Sequence, residues 1–158
     1  TIIRLRVGQV LPERSTRGRR CLMDNLKVLL ALHGAVVLTV SVIGGLFLYR
    51  AILKTEKIAA WHVVHSGGTV RGVMLIALAA IIQYPTLPMW QLATIVWLIL
   101  FFTWTSMLAM IIAAVSGERG LGYSGSSTNK LVYILYAVGT VAIFPACSLL
   151  IYGLLKSL

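Results

Sequence analysis

A chain of 158 residues that is 59% apolar and only 11% charged lacks the polar surface of a soluble domain of this size. Its net charge of +10 would suit nucleic acid. The basic residues, however, gather in an N-terminal tail and at the ends of apolar runs, where they meet lipid headgroups, and no nucleic-acid-reading motif accompanies them. Cys21 and Cys147 make neither a disulfide framework nor a Cys-x-x-Cys metal site, and without Cys-x-x-Cys-His any haem is held non-covalently.

Residues 1–22 are arginine-rich (Arg4, Arg6, Arg14, Arg17, Arg19, Arg20) and read as a flexible, lipid-facing tail, with a processed leader as the alternative. Met23 opens a plausible start, and residues 23–158 read as a single transmembrane domain. Four apolar runs follow, roughly Val28–Tyr49, Trp61–Tyr84, Met89–Val115 and Leu131–Leu155. Each is long enough to cross a hydrocarbon core of ~30 Å at 1.5 Å per residue. The expected fold is an all-α membrane protein, a four-transmembrane-helix bundle in the lipid bilayer. The connection from Arg50 to Lys57 is short and basic, and that from Gln83 to Pro88 is tight and uncharged. Ser116–Lys130 is a glycine-rich loop, and Pro145 lies inside the fourth span, where it predicts a kink. Eight Lys/Arg on the terminal side against five on the loop side favour cytoplasmic termini; a chain beginning at Met23 would reverse that preference.

The four acidic residues, Glu13, Asp24, Glu56 and Glu118, all lie outside the apolar runs, so carboxylate catalysis and carboxylate proton relays within the membrane are excluded. The ionisable groups inside the spans are His33, His62, His65 and Arg71, and such groups are functional suspects because a bilayer makes them costly. His65 shares a helix face with Gly68, Thr69 and Gly72, a strip against which a flat ligand or another backbone can lie. His65 either bonds a carbonyl on a neighbouring helix or serves as an axial haem ligand, with Trp61 as a stacking wall one turn back. His33 lies roughly 10 Å away in depth, so one protomer would not clamp an iron between the two, and an open sixth position is expected. Arg71, about ten residues into its span, needs a carbonyl, a lipid, a neighbouring subunit or an anion as partner. Arg119, at the loop edge, meets a lipid headgroup or reaches a haem propionate. Trp104 is deep enough in the third span to need a pocket or a helix partner.

Trp61-x-x-x-His65-Ser66-Gly67, Gly72-Val73-Met74, His33-Gly34, Trp104 and Arg119-Gly120-Leu121 together resemble the styrene oxide isomerases, small integral membrane enzymes, over most of Met23 to Leu158. The resemblance implies a homotrimer of four-helix protomers in a bacterial inner membrane. It further implies haem b near a subunit interface, with His65 as axial iron ligand and Gly68, Gly72 and Arg119 as cofactor contacts. Ferric iron would then act as a Lewis acid on a small hydrophobic epoxide, and a 1,2-hydride shift would give an aldehyde or ketone. Trp61, Arg71, Trp104 and Met110 fall in the implied substrate pocket. Two of these depart from the family, which carries an asparagine at the position of Arg71 and a tyrosine at that of Met110. Two rivals remain at this level: a haem-binding redox or sensor protein without isomerase activity, and a non-catalytic accessory subunit of a larger membrane complex.

Overall fold

The computed structural model describes residues 13–158, with side chains from Gly18 onward. Those residues form four helices and no strand: α1 (Glu13–Lys54), α2 (Ile58–Ile81), α3 (Met89–Ser116) and α4 (Ser127–Leu155). All four are long and apolar enough to cross a membrane, and the chain is an integral membrane protein. Three of them match the apolar runs closely. The exception is α1, which begins well before Met23, because Arg, Leu and Met continue a helix readily after the apolar run has ended. The first twelve residues of the expected tail lie outside the described residues. Pro145 sits inside α4, and the helix continues through it.

The first two connections are each tied to a helix other than the two they join, and the third is held from within α4. Between α1 and α2, Thr55 and Lys57 adopt left-handed φ angles of 57° and 52°, which non-glycine residues adopt only at a cost. Lys57 Nζ donates to the Val115 carbonyl at 2.6 Å, placing a cation on the negative end of α3. In the next turn, Thr86 N donates to the Gly153 carbonyl at 3.1 Å and Arg19 Nη2 to the Leu87 carbonyl at 3.1 Å, so α4 and α1 both hold it. Gly117, with φ of 84°, ends α3 in the left-handed conformation that glycine accepts freely. Asn129 then organises the glycine-rich loop: its Oδ1 accepts from Gly120 N at 2.8 Å, and its Nδ2 donates to the Gly122 and Ser124 carbonyls.

The bundle consists of two helical hairpins. α1 packs chiefly on α2 and α4 on α3, while α3 joins the hairpins through lighter contacts with α2 and α1. α3 is therefore the most buried helix, and Leu92, Ile95, Val96, Ile99 and Met107 form its share of the core. Large apolar side chains also cover the outside, among them Val28, Leu46, Val70, Val141 and Phe144. A lipid-facing protein requires this, because hydrocarbon is its solvent. Helix–helix attraction must then come from close packing and hydrogen bonds, since burying apolar surface against apolar lipid gains little.

Candidate functional site

The seam between α1 and α2 is built from small residues. A Cβ at Gly72 would sit 2.5 Å from Leu38 Cγ and 3.0 Å from the Gly34 carbonyl oxygen, and one at Gly34 would sit 2.9 Å from the Gly72 oxygen. One at Gly68 would sit 2.9 Å from Ser41 Cβ. The two backbones therefore touch, and the strip beneath His65 is filled by α1. Gly68 and Gly72 serve helix packing, and no flat ligand rests on them within this protomer.

This close approach brings Ser41 to His65. The buried Ser41 hydroxyl donates to the His65 carbonyl and lies 2.7 Å from Thr69 Oγ1. The Ser41 carbonyl oxygen lies 2.9 Å from His65 Nδ1. A carbonyl only accepts, so Nδ1 carries a proton, and in the neutral ring Nε2 keeps its lone pair. The absence of a Cβ at Gly45 makes room for the ring, since an added Cβ would fall 3.0 Å from Nδ1. A metal-binding histidine is typically held in this way, with its far nitrogen donating to a carbonyl and its near nitrogen free. The carbonyl bond and the ligand role, alternatives in the sequence, are compatible in the structure. Trp61, one turn back, stacks on Phe47 of α1 with ring centroids 4.6 Å apart. His62 is exposed, and its carbonyl accepts from Ser66.

His33 sits in the opposite state. Trp104 Nε1 donates to His33 Nδ1 at 3.0 Å, with the rings edge to face. An indole nitrogen only donates, so Nδ1 is bare and the proton is on Nε2. Trp104 thus has a helix partner. The two histidines also stand at different levels, because Gly34 packs beside Gly72 and Ile76 while Gly45 packs beside His65. The separation along α1 is on the order of 15 Å at 1.5 Å per residue.

On its other flank α2 carries Arg71. Nε donates to Ser106 Oγ at 2.9 Å, and Nη1 donates to the Gly67 carbonyl at 3.0 Å and lies 3.7 Å from Met110 Sδ. The guanidinium carbon stands 5.4 Å from the centroid of the Phe102 ring, a cation–π arrangement. Ser106 passes the bond on, donating to the Phe102 carbonyl at 2.6 Å. Arg71 and Met110 are thus in contact with each other.

Met110 and Tyr136 also line a cavity of about 650 Å³ beside the start of α2, together with Val63 and Ala113 and with Lys57, Glu118 and Arg119 from the connections. His65 does not share it. The buried residues Val64, Gly68, Gly72 and Leu75 occupy the sector of α2 between the two flanks. Ser41, Ser106, Phe102 and Tyr136 were not singled out in the sequence. The only local signal was a hydroxyl inside an apolar run, and it marks Ser41 and Ser106 without naming their partners. Among the described residues no group of three or more His, Cys, Asp or Glu comes together to hold a metal ion.

The family model for styrene oxide isomerase matches residues 26–155. A comparison with curated proteins gives no match. The matched span runs through all four helices, and the chain belongs to the styrene oxide isomerase family.

Proposed function

We propose that this protein is a membrane isomerase that holds haem b through His65 Nε2 and converts an epoxide into the isomeric aldehyde or ketone. The observation that carries the reading is the bond from His65 Nδ1 to the Ser41 carbonyl: in the neutral ring it leaves the lone pair on Nε2, which has no hydrogen-bond partner among the described residues. Bound there, ferric haem supplies a Lewis acid for the epoxide oxygen. The reaction itself balances within the substrate. One carbon–oxygen bond of the ring breaks, a hydrogen moves with its electron pair to the carbon left electron-poor, and the remaining carbon–oxygen bond becomes a carbonyl. No oxidant, reductant or external proton is consumed. The chain's part is to fix the imidazole through Ser41 and Gly45 and to keep water out, because water would trap the electron-poor carbon as a diol.

His65 and the Arg71–Met110 pocket lie on different flanks of α2 with packed residues between them. A site that uses both is complete only across a boundary between copies, which supports an oligomer as the working assembly, and the family resemblance implies a homotrimer. The resemblance implies a bacterial inner membrane, and the charge distribution noted above favours cytoplasmic termini.

The test is an absorption spectrum of the detergent-purified protein, expressed with haem precursor supplied, beside its His65→Ala variant. A Soret band that the substitution removes or shifts is the expected result. No Soret band in the parent protein, or an identical one in the variant, would overturn the reading.

A further inference from the structure

Arg71 is a cation within a membrane span, and no carboxylate among the described residues stands near it. Its charge is met only by dipoles: a serine hydroxyl, a backbone carbonyl, the Phe102 face and a thioether. Nε and Nη1 are engaged, whereas Nη2 makes no hydrogen bond among the described residues. In low dielectric a guanidinium gains far more from an anion than from such partners, and its planar fork matches a carboxylate.

The way to it runs through Met110. This side chain touches Nη1 on one side and lines the 650 Å³ cavity on the other. Methionine is unbranched and changes rotamer easily, so an entering ligand can displace it. The cavity walls are otherwise apolar (Val63, Ala113), while Lys57 and Arg119 outnumber Glu118 among the charged lining residues and attract anions toward it.

We infer that this cavity takes an amphipathic monocarboxylate whose carboxylate pairs with Arg71 and whose apolar body lies along Val63 and Ala113. Where the proposed isomerase function holds, on which this part rests, the substrate class is an aryl or alkyl epoxide that bears a carboxylate. Such a substrate also resolves an electrostatic conflict. A bare guanidinium would repel the electron-poor carbon that forms as the epoxide opens, and a carboxylate seated on it cancels that field. A haem propionate offers the same chemistry from a second source.

Titration calorimetry of the purified protein in detergent, with phenylacetate against phenylacetamide, tests the seat without turnover. Phenylacetate is expected to bind about tenfold tighter or better, a difference typical of a charge-assisted pair. Arg71→Gln is expected to erase the preference and Arg71→Lys to keep part of it. Met110→Ala, which clears the path and takes the thioether away from Nη1 while leaving the guanidinium in place, is expected to tighten phenylacetate alone. Equal affinity for the two probes, or a preference that survives Arg71→Gln, overturns the proposal. Loss of haem from Arg71→Gln, in a protein that shows no preference, assigns the carboxylate to a propionate and also overturns it. Turnover of 4-oxiranylphenylacetate ahead of styrene oxide supports the substrate class, and the reverse order overturns it. A phenylacetate preference in a protein without a Soret band supports the seat while removing the isomerase reading. A Soret band lost in His65→Ala, with no preference between the probes, removes the seat and leaves the isomerase reading standing.

Discussion

His65 and His33 are the same residue type in adjacent helices, and their neighbours set them to opposite protonation patterns. His65 faces a carbonyl that can only accept, so its neutral ring is protonated on Nδ1 and bare on Nε2. His33 faces an indole that can only donate, so Nδ1 is bare and Nε2 carries the proton. An unprotonated nitrogen can bind iron directly, and a protonated one must first lose its proton. The lesson is that a histidine's chemistry inside a membrane is assigned by the one group opposite its Nδ1, and the sequence around the histidine says little about that group.

The largest expected effect comes from exchanging the two. His65→Ala is expected to abolish the bound-haem spectrum, and His33→Ala to leave its band position unchanged; a matching loss in both variants would break the contrast. Next is the seam that delivers Ser41 to His65. In Gly72→Leu the new side chain has no space beside Leu38 and the Gly34 carbonyl, and overpacking of this kind costs about 1–3 kcal/mol or more. Thermal unfolding in detergent should show a clear fall in Tm, and an unchanged Tm would contradict the close backbone approach.

A finer probe is Gly45→Ala, whose Cβ would fall 3.0 Å from His65 Nδ1. It should disturb the ring with little loss of fold, which would be read as a shifted or weakened Soret band at nearly unchanged Tm. The smallest effect belongs to Trp104→Phe. This removes one hydrogen bond to His33, about 0.6 kcal/mol for an average bond between membrane helices. It should lower Tm slightly and leave the haem spectrum alone, and a strong spectral change would place Trp104 in the iron's surroundings after all.

Several features of the site were legible before any tertiary structure. His65 and Arg71 stood out because ionisable residues in apolar runs are few. The same spacing that marked Gly68 and Gly72 as a ligand strip also allowed a helix seam, and Leu38, Ser41 and Gly34 of α1 decide for the seam. Arg71 was legible as a problem and not as a solution, since Ser106 and Met110 lie 35 and 39 residues away on α3. Tyr136 carried no signal, because a tyrosine in a fourth apolar run has many ordinary uses. The early start of α1 was missed for a related reason: hydropathy reports where lipid begins, whereas helix formation continues past it wherever good helix formers follow.

The sequence by itself determined the four spans, their order, the tight second turn and the glycine-rich loop. These follow from hydropathy, chain length and turn-forming residues, all of which act over short stretches of chain. Tertiary structure alone decided which histidine keeps a free Nε2, what fills the glycine strip, and which neighbours surround the guanidinium. Each of those depends on how one helix is rotated against another, and a partner on a separate helix leaves no trace in the residues beside it.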